Sequence, residues 1–262
     1  MKKVKNYKNG LIGHSGFVGS TLKKQYHFDS LFRSNDIETI EEQEFEFLVC
    51  AGAQAKKWMA NKYPDDDRKG ILKLMDALRK VKCNHFILIS TVDVFSEPIG
   101  KNELSDVYLE DLHPYGLNRR KLELFVKENF EKYLIIRLPG LVGTGLKKNI
   151  IYDILNKNNL EKIDSRNTFQ FYPVVNLWMD IQHSLGLETN VVHLTAEPIS
   201  VGEISKQAFG IPFINKLNED YISYDFQSIY AEHFGGKDPY TYSKRESIQA
   251  IRFYAQNEPL SK

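Results

Sequence analysis

Three glycines at three-residue spacing, Gly13, Gly16 and Gly19, constrain the fold of this chain more than any other feature. They follow the apolar pair at 11–12 and precede a helical pattern at 20–26, so the order is strand, glycine turn and helix start. The N–H groups at a helix start attract an anion, and glycine lets the backbone come close to it. The spacing differs from the common Gly-x-Gly-x-x-Gly fingerprint, and an ordinary turn with helix-packing glycines is the alternative. We predict a turn that binds the pyrophosphate of a dinucleotide, with the candidate residues Gly13, Ser15, Gly16, Phe17, Val18 and Gly19.

Short apolar runs alternate with helical patterns through the first half of the chain. The run Phe86–Ile89 is continuously apolar, which is typical of a strand that is covered on both faces of its sheet. Strands that alternate with helices of this length form parallel βαβ units. We therefore predict an α/β fold, a Rossmann-like doubly wound parallel sheet with a small C-terminal substrate domain. The expected strands lie at 11–12, 30–32, 45–50, 86–89 and 133–136, and the expected helices at 16–26, 66–82 and 116–130.

The regular alternation weakens after Gly145, and this change marks the expected domain boundary. We expect a cofactor-binding domain over 1–145, with a strand from 174–195 returned to its sheet, and a substrate-binding region over 146–262. In that region a helix is expected at 149–156. Ser200 and Glu203 have the spacing of a capping box, which predicts a second helix start.

The charge balance argues against two classes of partner. Lys and Arg total 35 and Asp and Glu total 34, so a net charge of +1 favours neither nucleic acid nor an anionic membrane. The basic start at 1–5 lacks the apolar run of a signal peptide, and no segment has transmembrane length. Two cysteines cannot form a disulfide framework, and the seven histidines show no metal-ligand spacing. We expect a cytoplasmic protein without a metal.

Two motifs follow the strand at 86–89. They are Ser90-Thr91-Val92-Asp93-Val94-Phe95 and His113-Pro114-Tyr115-Gly116-Leu117-Asn118-Arg119. With the glycine turn they resemble the extended short-chain dehydrogenase/reductase family, in its NAD(P)-dependent nucleotide-sugar epimerase, dehydratase and reductase branch. That family has a Ser or Thr four residues before the aromatic of a Val-Tyr/Phe pair, as Thr91 precedes Phe95. Its Tyr-Gly pair, with a Glu eight residues after the tyrosine, is matched by Tyr115, Gly116 and Glu123. The resemblance covers 10–145 and weakens beyond.

The resemblance implies a role for each matched residue. Tyr115 would exchange a proton with a sugar hydroxyl or keto oxygen, and Thr91 would hydrogen-bond the same oxygen while a hydride passes between the substrate carbon and the nicotinamide C4. The segment 137–143 resembles the family's Arg-x-x-x-x-x-Gly element, which implies that the backbone at Pro139 and Leu141 packs on the nicotinamide. Considered without the spacing that links them, Thr91 would be interpreted as a strand-end cap and Tyr115 as an ordinary aromatic residue at a helix start.

The chain departs from the family at Arg119, where the family has its catalytic lysine. A phenol ionises near pH 10, and each unit by which its pKa falls needs about 1.4 kcal/mol of preferential stabilisation of the phenolate. Arginine keeps a positive charge but carries it in a larger planar fork with a different reach. Lys121 is six residues from Tyr115 and is expected on another side of the helix. Arg119 either supports catalysis and cofactor binding with altered geometry or marks a protein that binds the cofactor without turnover.

Asp93 lies where some sugar dehydratases of the family keep an acidic residue, so we count it with Tyr115, Thr91 and Arg119 as a catalytic candidate. A complete dehydratase has an adjacent pair of acids, whereas position 92 here is Val. This difference argues against dehydration and leaves ketone reduction and epimerisation.

The end of the second strand bears on the choice of cofactor. An acid at this point selects NAD through the ribose 2′-hydroxyl. This chain instead has Arg33 and Ser34, a cation and a hydroxyl that suit the 2′-phosphate of NADP, and Asp36 falls slightly late. We expect NADP, with NAD as the alternative; Arg33 could also be an ordinary surface charge.

The segment after the second strand is short. Only some dozen residues separate Ser34 from the next strand, which predicts that the usual third strand and its helix are trimmed. After that next strand, Ala51, Gly52 and Ala53 are small either because they pack closely or, in the family interpretation, because the adenosine side of the cofactor passes them.

The second region offers candidate contacts for a nucleotide sugar. Lys148 and Asn149 resemble positions that meet the sugar diphosphate, but a charged helix start and a helix cap are the alternatives. Gln170 and Tyr172 would line a sugar pocket or belong to the core. The resemblance also implies a homodimer formed through the helices at 66–82 and 116–130.

Two functions remain open at this stage. The first is an NADP-dependent oxidoreductase or epimerase that acts on a nucleotide-linked keto sugar, for example in the synthesis of a surface polysaccharide. The second, which Arg119 motivates, is a catalytically inactive NAD(P)-binding sensor or scaffold.

Overall fold

The structure is a computed structural model that describes residues 8–217 and 220–260, so the basic start at 1–5 lies outside the described residues. Its strands are β1 (Lys8–Ile12), β2 (Ser30–Phe32), β3 (Glu44–Cys50), β4 (Lys82–Thr91), β5 (Ile99–Lys101), β6 (Tyr133–Leu138), β7 (Gly140–Val142), β8 (Thr168–Phe169), β9 (Phe171–Pro173), β10 (Val191–His193), β11 (Ile199–Ser200) and β12 (Asp225–Phe226). Its α-helices are α1 (Phe17–Gln25), α2 (Lys57–Lys62), α3 (Pro64–Leu78), α4 (Pro114–Asn129), α5 (Ile150–Asn156), α6 (Leu177–Leu185), α7 (Val201–Phe209) and α8 (Lys244–Asn257). Among the described residues, no helix combines the length and the apolar character needed to cross a membrane.

The chain divides into two compact units. The first comprises the described residues up to Ser96 together with 106–137 and 184–192. The second comprises 97–105, 138–183 and the described residues from His193 onward.

A six-stranded sheet in the order β10-β6-β4-β3-β1-β2 organises the first unit. β1 pairs in parallel with both β2 and β3, and β3 pairs in parallel with β4. The chain therefore runs outward from β1 to β2 and then returns to the other side of β1. Ligands of doubly wound sheets bind at such a switch point, beside the carboxyl ends of the strands. This architecture confirms the predicted α/β class with a Rossmann-like parallel sheet.

The connection from β2 to β3 explains why the sheet lacks the usual third strand. It contains only a short 3₁₀ turn, Ile37–Ile40, whose two isoleucines are buried in the core. β3 consequently lies directly beside β1, with Ile12 paired to Cys50 and Cys50 paired to Leu88. This register brings the carboxyl ends of β1, β3 and β4 to one edge.

The core of the first unit lies between the sheet and the helices α3 and α4. α3 contributes Ile71, Leu74 and Leu78 to it, and α4 contributes Leu122, Phe125 and Val126. Phe86 of β4 stacks on Phe130 with ring centroids 4.1 Å apart. Truncating one of these buried leucines to alanine costs about 2–5 kcal/mol, so the packing fixes both helices against the strands.

The second unit is built from small sheets and helices. β7 and β9 pair in parallel, β8 and β11 pair antiparallel, and β5 and β12 pair in parallel. The predicted capping box of Ser200 and Glu203 starts α7. Ser243 and Glu246 form a second capping box at the start of α8, a helix that the sequence analysis missed within the aromatic and charged tail.

Candidate functional site

The glycine turn connects β1 to α1 at the switch point of the sheet. Gly13 has a φ of +83°, and a Cβ on Gly19 would lie 2.1 Å from the carbonyl oxygen of Gly13. These two glycines are therefore required by the packing of the turn itself. Gly16 is exposed and precedes α1, and no side chain in the described part of the chain caps that helix. The backbone N–H groups at the start of α1 thus remain suited to an anion.

The loop after β3 touches this turn closely. The ideal Cβ of Gly13 would lie 2.3 Å from the carbonyl oxygen of Ala51, and a Cβ on Gly52 would lie 2.9 Å from Ile12. Ala53 packs against the core while remaining partly exposed. Close packing therefore accounts for Gly52.

Charged residues of both signs lie just after the end of β2. Arg33 and Ser34 are exposed, and Asp36 accepts a hydrogen bond of 2.5 Å from the Arg33 N–H. That hydrogen bond lowers the pKa of the Asp36 carboxyl, and the Arg33 side chain adds an ion pair of 3.5 Å. Burial and the charges of Lys23 and Arg33 lower the pKa of His14 in the glycine turn. Asp36 thus places a carboxylate beside Arg33, the cation that we predict to bind the 2′-phosphate.

Thr91 and Tyr115 come together at the carboxyl end of β4. Thr91 is the last residue of β4, Tyr115 lies in the first turn of α4, and the Thr91 side chain lies near enough to the Tyr115 phenol to act on its pKa, in the lowering direction. The Nδ1 atom of His113 caps the helix by accepting the N–H of Gly116 at 3.0 Å. A Cβ on Gly116 would lie 2.1 Å from the carbonyl oxygen of Asp93. Only glycine therefore lets α4 start this close to the loop after β4.

Arg119 lies one turn after Tyr115 and stacks on its ring. The guanidinium carbon is 4.0 Å from the ring centroid, and the side chain is 3% exposed. The guanidinium donates hydrogen bonds to the Asp67 carboxylate and to the Gln54 carbonyl oxygen. Its Nε is buried without a hydrogen-bond partner among the described residues. Lys121 is exposed, as expected for a residue on another side of the helix.

Asp93 stands beside the two hydroxyls and has a basic partner that the sequence analysis missed. Its Oδ1 is 2.7 Å from the Nζ of Lys57, the first residue of α2. Its Oδ2 is 3.4 Å from the Thr91 hydroxyl, and its own N–H donates to that hydroxyl at 3.1 Å. His113 lies 4.0 Å from the same carboxylate, and burial lowers the pKa of its imidazole. The predicted catalytic residues thus lie together with Lys57 and His113.

The charges around Tyr115 oppose one another. Burial raises the pKa of its phenol to about 12, and the charge of Asp93 acts in the same direction. Arg119, Lys57 and the hydrogen bond from Thr91 act in the opposite direction. The phenol therefore holds its proton at neutral pH, with two cations placed to stabilise the phenolate.

Glu123, the acidic residue of the tyrosine motif, has a structural role. It is fully buried and accepts hydrogen bonds of 2.9 and 2.7 Å from Arg137, one of 2.7 Å from Ser90 and one of 3.0 Å from Arg120. Although burial opposes its charge, Arg137 and these hydrogen bonds keep the pKa of the Glu123 carboxyl below its ordinary value. This cluster ties α4 to β4 and β6.

The candidates of the second unit separate into core and surface residues. Tyr172 is fully buried and donates to Asp180 at 2.5 Å, while Gln170 is bonded to Ala196 and Phe226. Both side chains are used inside the core, which favours the alternative left open by the sequence. The aromatic pattern alone does not separate a pocket wall from a core.

The remaining candidates of this unit lie near the start of α5. Asn149 caps the helix by accepting the Ile151 N–H at 3.0 Å, and its amide donates to the Leu141 carbonyl at 2.9 Å. Lys148, just before it, is exposed. Leu141 lies in β7, which Pro139 precedes. The cap was the alternative for Asn149, and Lys148 is an exposed residue beside it.

The fold has close likenesses among solved structures. UDP-glucose 4-epimerase of Thermotoga maritima, solved with UDP-glucose, is 17% identical with a TM-score of 0.70 over 95% of this chain and 97% of that one. The enzyme WbmG of Bordetella bronchiseptica, solved with NAD, is 16% identical with a TM-score of 0.73 over 100% of both chains. dTDP-4-dehydrorhamnose reductase of Bacillus anthracis, solved with NADP, is 18% identical with a TM-score of 0.70 over 96% and 99%. No protein-family model matches the sequence, and no curated protein matches it. The likeness confirms the Rossmann-like fold.

Proposed function

We propose that this chain is an NADP-dependent oxidoreductase or epimerase that acts on a nucleotide-linked keto sugar, and that it belongs to the extended short-chain dehydrogenase/reductase family. The observation that carries the proposal is the grouping of the motif residues at the carboxyl edge of the sheet: the Asp93 N–H donates to the Thr91 hydroxyl at 3.1 Å, and the Arg119 guanidinium carbon lies 4.0 Å from the centroid of the Tyr115 ring. The same edge carries the glycine turn, which fits the family's cofactor.

The residues of the first unit suit NADP. The uncapped start of α1 would receive the pyrophosphate, and Arg33 with Ser34 would receive the 2′-phosphate. The bound nicotinamide would supply or accept the hydride. The epimerase and reductase of this fold solved with UDP-glucose and NADP support the same substrate and cofactor classes.

The proton chemistry falls to Tyr115 and Thr91. Because burial raises the pKa of the phenol to about 12, Tyr115 holds a proton that it can donate to a keto oxygen when the carbonyl is reduced. Thr91 would hold that oxygen, since a hydroxyl both donates and accepts. In the reverse direction the phenolate would take the proton back, and Arg119 and Lys57 favour that charged form. Thr91, Tyr115, Asp93 and Arg119 are thus the proposed catalytic group.

The second unit is the proposed substrate-binding region. Lys148 is exposed before α5 and remains the candidate contact for a sugar diphosphate, with Asn149 holding the helix start in place. Pro139 and Leu141 remain candidates for backbone contacts to the nicotinamide. The homodimer through α3 and α4 is likewise a proposal, which the mass of the protein in solution tests.

The direct experiment follows NADPH oxidation in the presence of nucleotide-linked keto sugars. We expect turnover with at least one sugar, and a loss of at least about 100-fold in Tyr115→Phe with NADPH binding retained. Full activity of Tyr115→Phe would remove this tyrosine from the mechanism.

A non-catalytic NAD(P)-binding sensor or scaffold is the second candidate. The stacking of Arg119 on the Tyr115 ring, with its guanidinium anchored by Asp67 and Gln54, favours it, because the family's lysine is missing. Arg119→Lys separates the two candidates. Activity only in this variant supports the binding protein, whereas unchanged or reduced activity supports an enzyme adapted to arginine.

A further inference from the structure

A buried carboxylate from another helix holds Arg119 in its place beside Tyr115. Asp67 lies in the first turn of α3 and forms an ion pair with the Arg119 guanidinium, and the two side chains are 9% and 3% exposed. The same Asp67 oxygen accepts a hydrogen bond of 2.7 Å from the Asn118 amide. One carboxylate of α3 thus binds two adjacent side chains of α4.

The burial of Asp67 is not explained by its position at a helix start. Acids favour the first turn of a helix because its N-terminal end is partly positive, and Asp65 and Asp66 occupy that turn as exposed residues. A carboxylate that leaves water loses free energy unless it is paired and hydrogen-bonded. The proposed chemistry gives Asp67 no task, so its pairing with Arg119 is the contact to explain.

The guanidinium is fixed at both of its terminal nitrogens. Nη1 binds Asp67 and donates to the Tyr115 carbonyl oxygen at 3.4 Å, while Nη2 donates to the Gln54 carbonyl oxygen in the loop after β3. The guanidinium carbon lies 4.0 Å from the centroid of the Tyr115 ring. A planar fork that is bonded at both ends lies against the ring in one position, whereas a lysine ammonium is a single point charge that cannot make both contacts.

We propose that Asp67 is a positioning residue of the site: it fixes the Arg119 guanidinium against the Tyr115 ring and thereby holds the phenol in place for proton transfer. The inference rests on the proposed function, because Tyr115 is the acid–base residue there. It also gives a reason for arginine at position 119, since a fork reaches both Asp67 and the Gln54 carbonyl oxygen. Asp67 acts through Arg119 and does not itself exchange a proton with the substrate.

The test compares substitutions at this ion pair with two controls. Asp67→Asn removes the charge but keeps an oxygen that accepts from Asn118. Asn118→Ala removes the other hydrogen bond to Asp67 and leaves the ion pair, so it reports on a role that is only structural. Asp66→Asn removes one exposed charge from the same helix turn. Arg119→Met and the double variant Asp67→Asn/Arg119→Met complete the set.

Two measurements follow Tyr115 in these variants. The first is the ¹⁹F NMR signal of a fluorinated tyrosine placed at position 115, recorded without substrate, because the fluorine signal responds to the charge and the packing beside the ring. The second is kcat with saturating NADPH and a keto sugar. Circular dichroism establishes that each variant is folded.

We expect Asp67→Asn to move the ¹⁹F signal and to lower kcat by about 10-fold, since displaced catalytic groups lose activity on this scale. Asn118→Ala and Asp66→Asn should leave both measurements near the parent. Because Asp67 acts through Arg119, the double variant should match Arg119→Met in both measurements.

Three results would overturn the proposal. They are an unmoved ¹⁹F signal in Asp67→Asn, the same changes in Asn118→Ala as in Asp67→Asn, and a double variant whose signal or kcat departs from that of Arg119→Met. If Asp67→Asn does not fold, the double variant, which removes both charges of the pair, decides by the last of these comparisons.

The NMR measurement keeps this inference separate from the proposed function. It needs no turnover, so it reports on Asp67 even if every variant is inactive. Inactivity of the parent with every sugar, together with the expected ¹⁹F shifts, would count against the proposed function alone. An active parent whose ¹⁹F signal and kcat are unchanged in Asp67→Asn would count against Asp67 alone.

Discussion

Each of the two units contains a buried tyrosine site, and the two differ in what surrounds the hydroxyl. In the first unit the Arg119 guanidinium lies 4.0 Å from the centroid of the Tyr115 ring, and Arg119, Lys57 and Thr91 all act to lower the pKa of the phenol. In the second unit the phenols of Tyr172 and Tyr242 both donate to one oxygen of Asp180, at 2.5 and 2.7 Å. Tyr172 is 0% exposed and Tyr115 only 7%, so burial does not distinguish them.

The charge around the hydroxyl does distinguish them. Burial and the neighbouring Asp180 raise the pKa of Tyr172 far above its ordinary value, because ionisation would place two negative charges together. The proton of Tyr172 is thereby fixed in a structural hydrogen bond. At Tyr115 two cations and a hydroxyl oppose the effect of burial on the pKa, and this is the tyrosine to which we assign the proton transfer. Acid–base chemistry is therefore expected only in the first unit.

The sharpest contrast is expected between Tyr115→Phe and Tyr172→Phe. Tyr115→Phe should lower kcat by at least about 100-fold and change the unfolding free energy little. Tyr172→Phe should keep kcat within a few-fold but lower the unfolding free energy by about 2 kcal/mol, because Asp180 loses a buried hydrogen bond. Turnover and urea denaturation of both variants measure the two effects. If both variants lost kcat and unfolding free energy to the same extent, the two tyrosines would not differ in role.

Gly116→Ala should disturb the first site without changing any reactive group. A Cβ at this position would meet the Asp93 carbonyl oxygen at 2.1 Å, so the start of α4 must move away from Thr91. We expect a loss of activity of about 10- to 100-fold, since small misplacements of catalytic groups have effects of this size. The control is Gly70→Ala within α3, where a Cβ meets nothing within 4 Å. It should raise the unfolding free energy by about 0.5–1 kcal/mol and leave kcat unchanged.

The second site should be visible in alkaline unfolding. Tyr172 is held protonated in the folded protein, whereas in the unfolded chain it ionises near pH 10. Its contribution to stability is therefore complete below about pH 10 and decreases by up to about 1.4 kcal/mol per pH unit above it. The difference in unfolding free energy between the parent and Tyr172→Phe should be constant at neutral pH and narrow above pH 10. A difference that stays constant above pH 10 would mean that the phenol is not held protonated.

The smallest expected effect lies at the cofactor end of the first unit. Arg33→Ala should weaken NADPH binding by about 10-fold and leave NADH binding nearly unchanged, because one charge-assisted contact to the 2′-phosphate is lost. Asp36→Asn is the complementary variant, since it removes the carboxylate paired with Arg33. It should strengthen NADPH binding. Equal weakening of both cofactors in Arg33→Ala would leave Arg33 as an ordinary surface charge.

The sequence predicted those parts of the fold that depend on local patterns. Spacing within short segments predicted the glycine turn, the strands of the parallel sheet and the trimmed third strand. A family motif links Thr91 and Tyr115 across twenty-four positions of the chain, and in the structure the Thr91 side chain lowers the pKa of the Tyr115 phenol.

The other contacts of the site depend on residues far apart in sequence. Lys57 meets Asp93 across thirty-six positions and Arg119 meets Asp67 across fifty-two, and no local pattern marks either pair. The only available signal was that Lys57 follows β3 at the edge where Thr91 also lies. Tyr172 had two interpretations because an aromatic side chain can line a pocket or fill a core, and its hydrogen bond to Asp180 favours the core.

The most direct test of the central claim follows a deuterium label from C4 of NADPH into a nucleotide-linked keto sugar by mass spectrometry. The account predicts that the parent protein transfers the label to the sugar, that Tyr172→Phe does so at a similar rate, and that Tyr115→Phe does not. Cofactor binding without transfer to any keto sugar, or equal transfer by Tyr115→Phe, would contradict it.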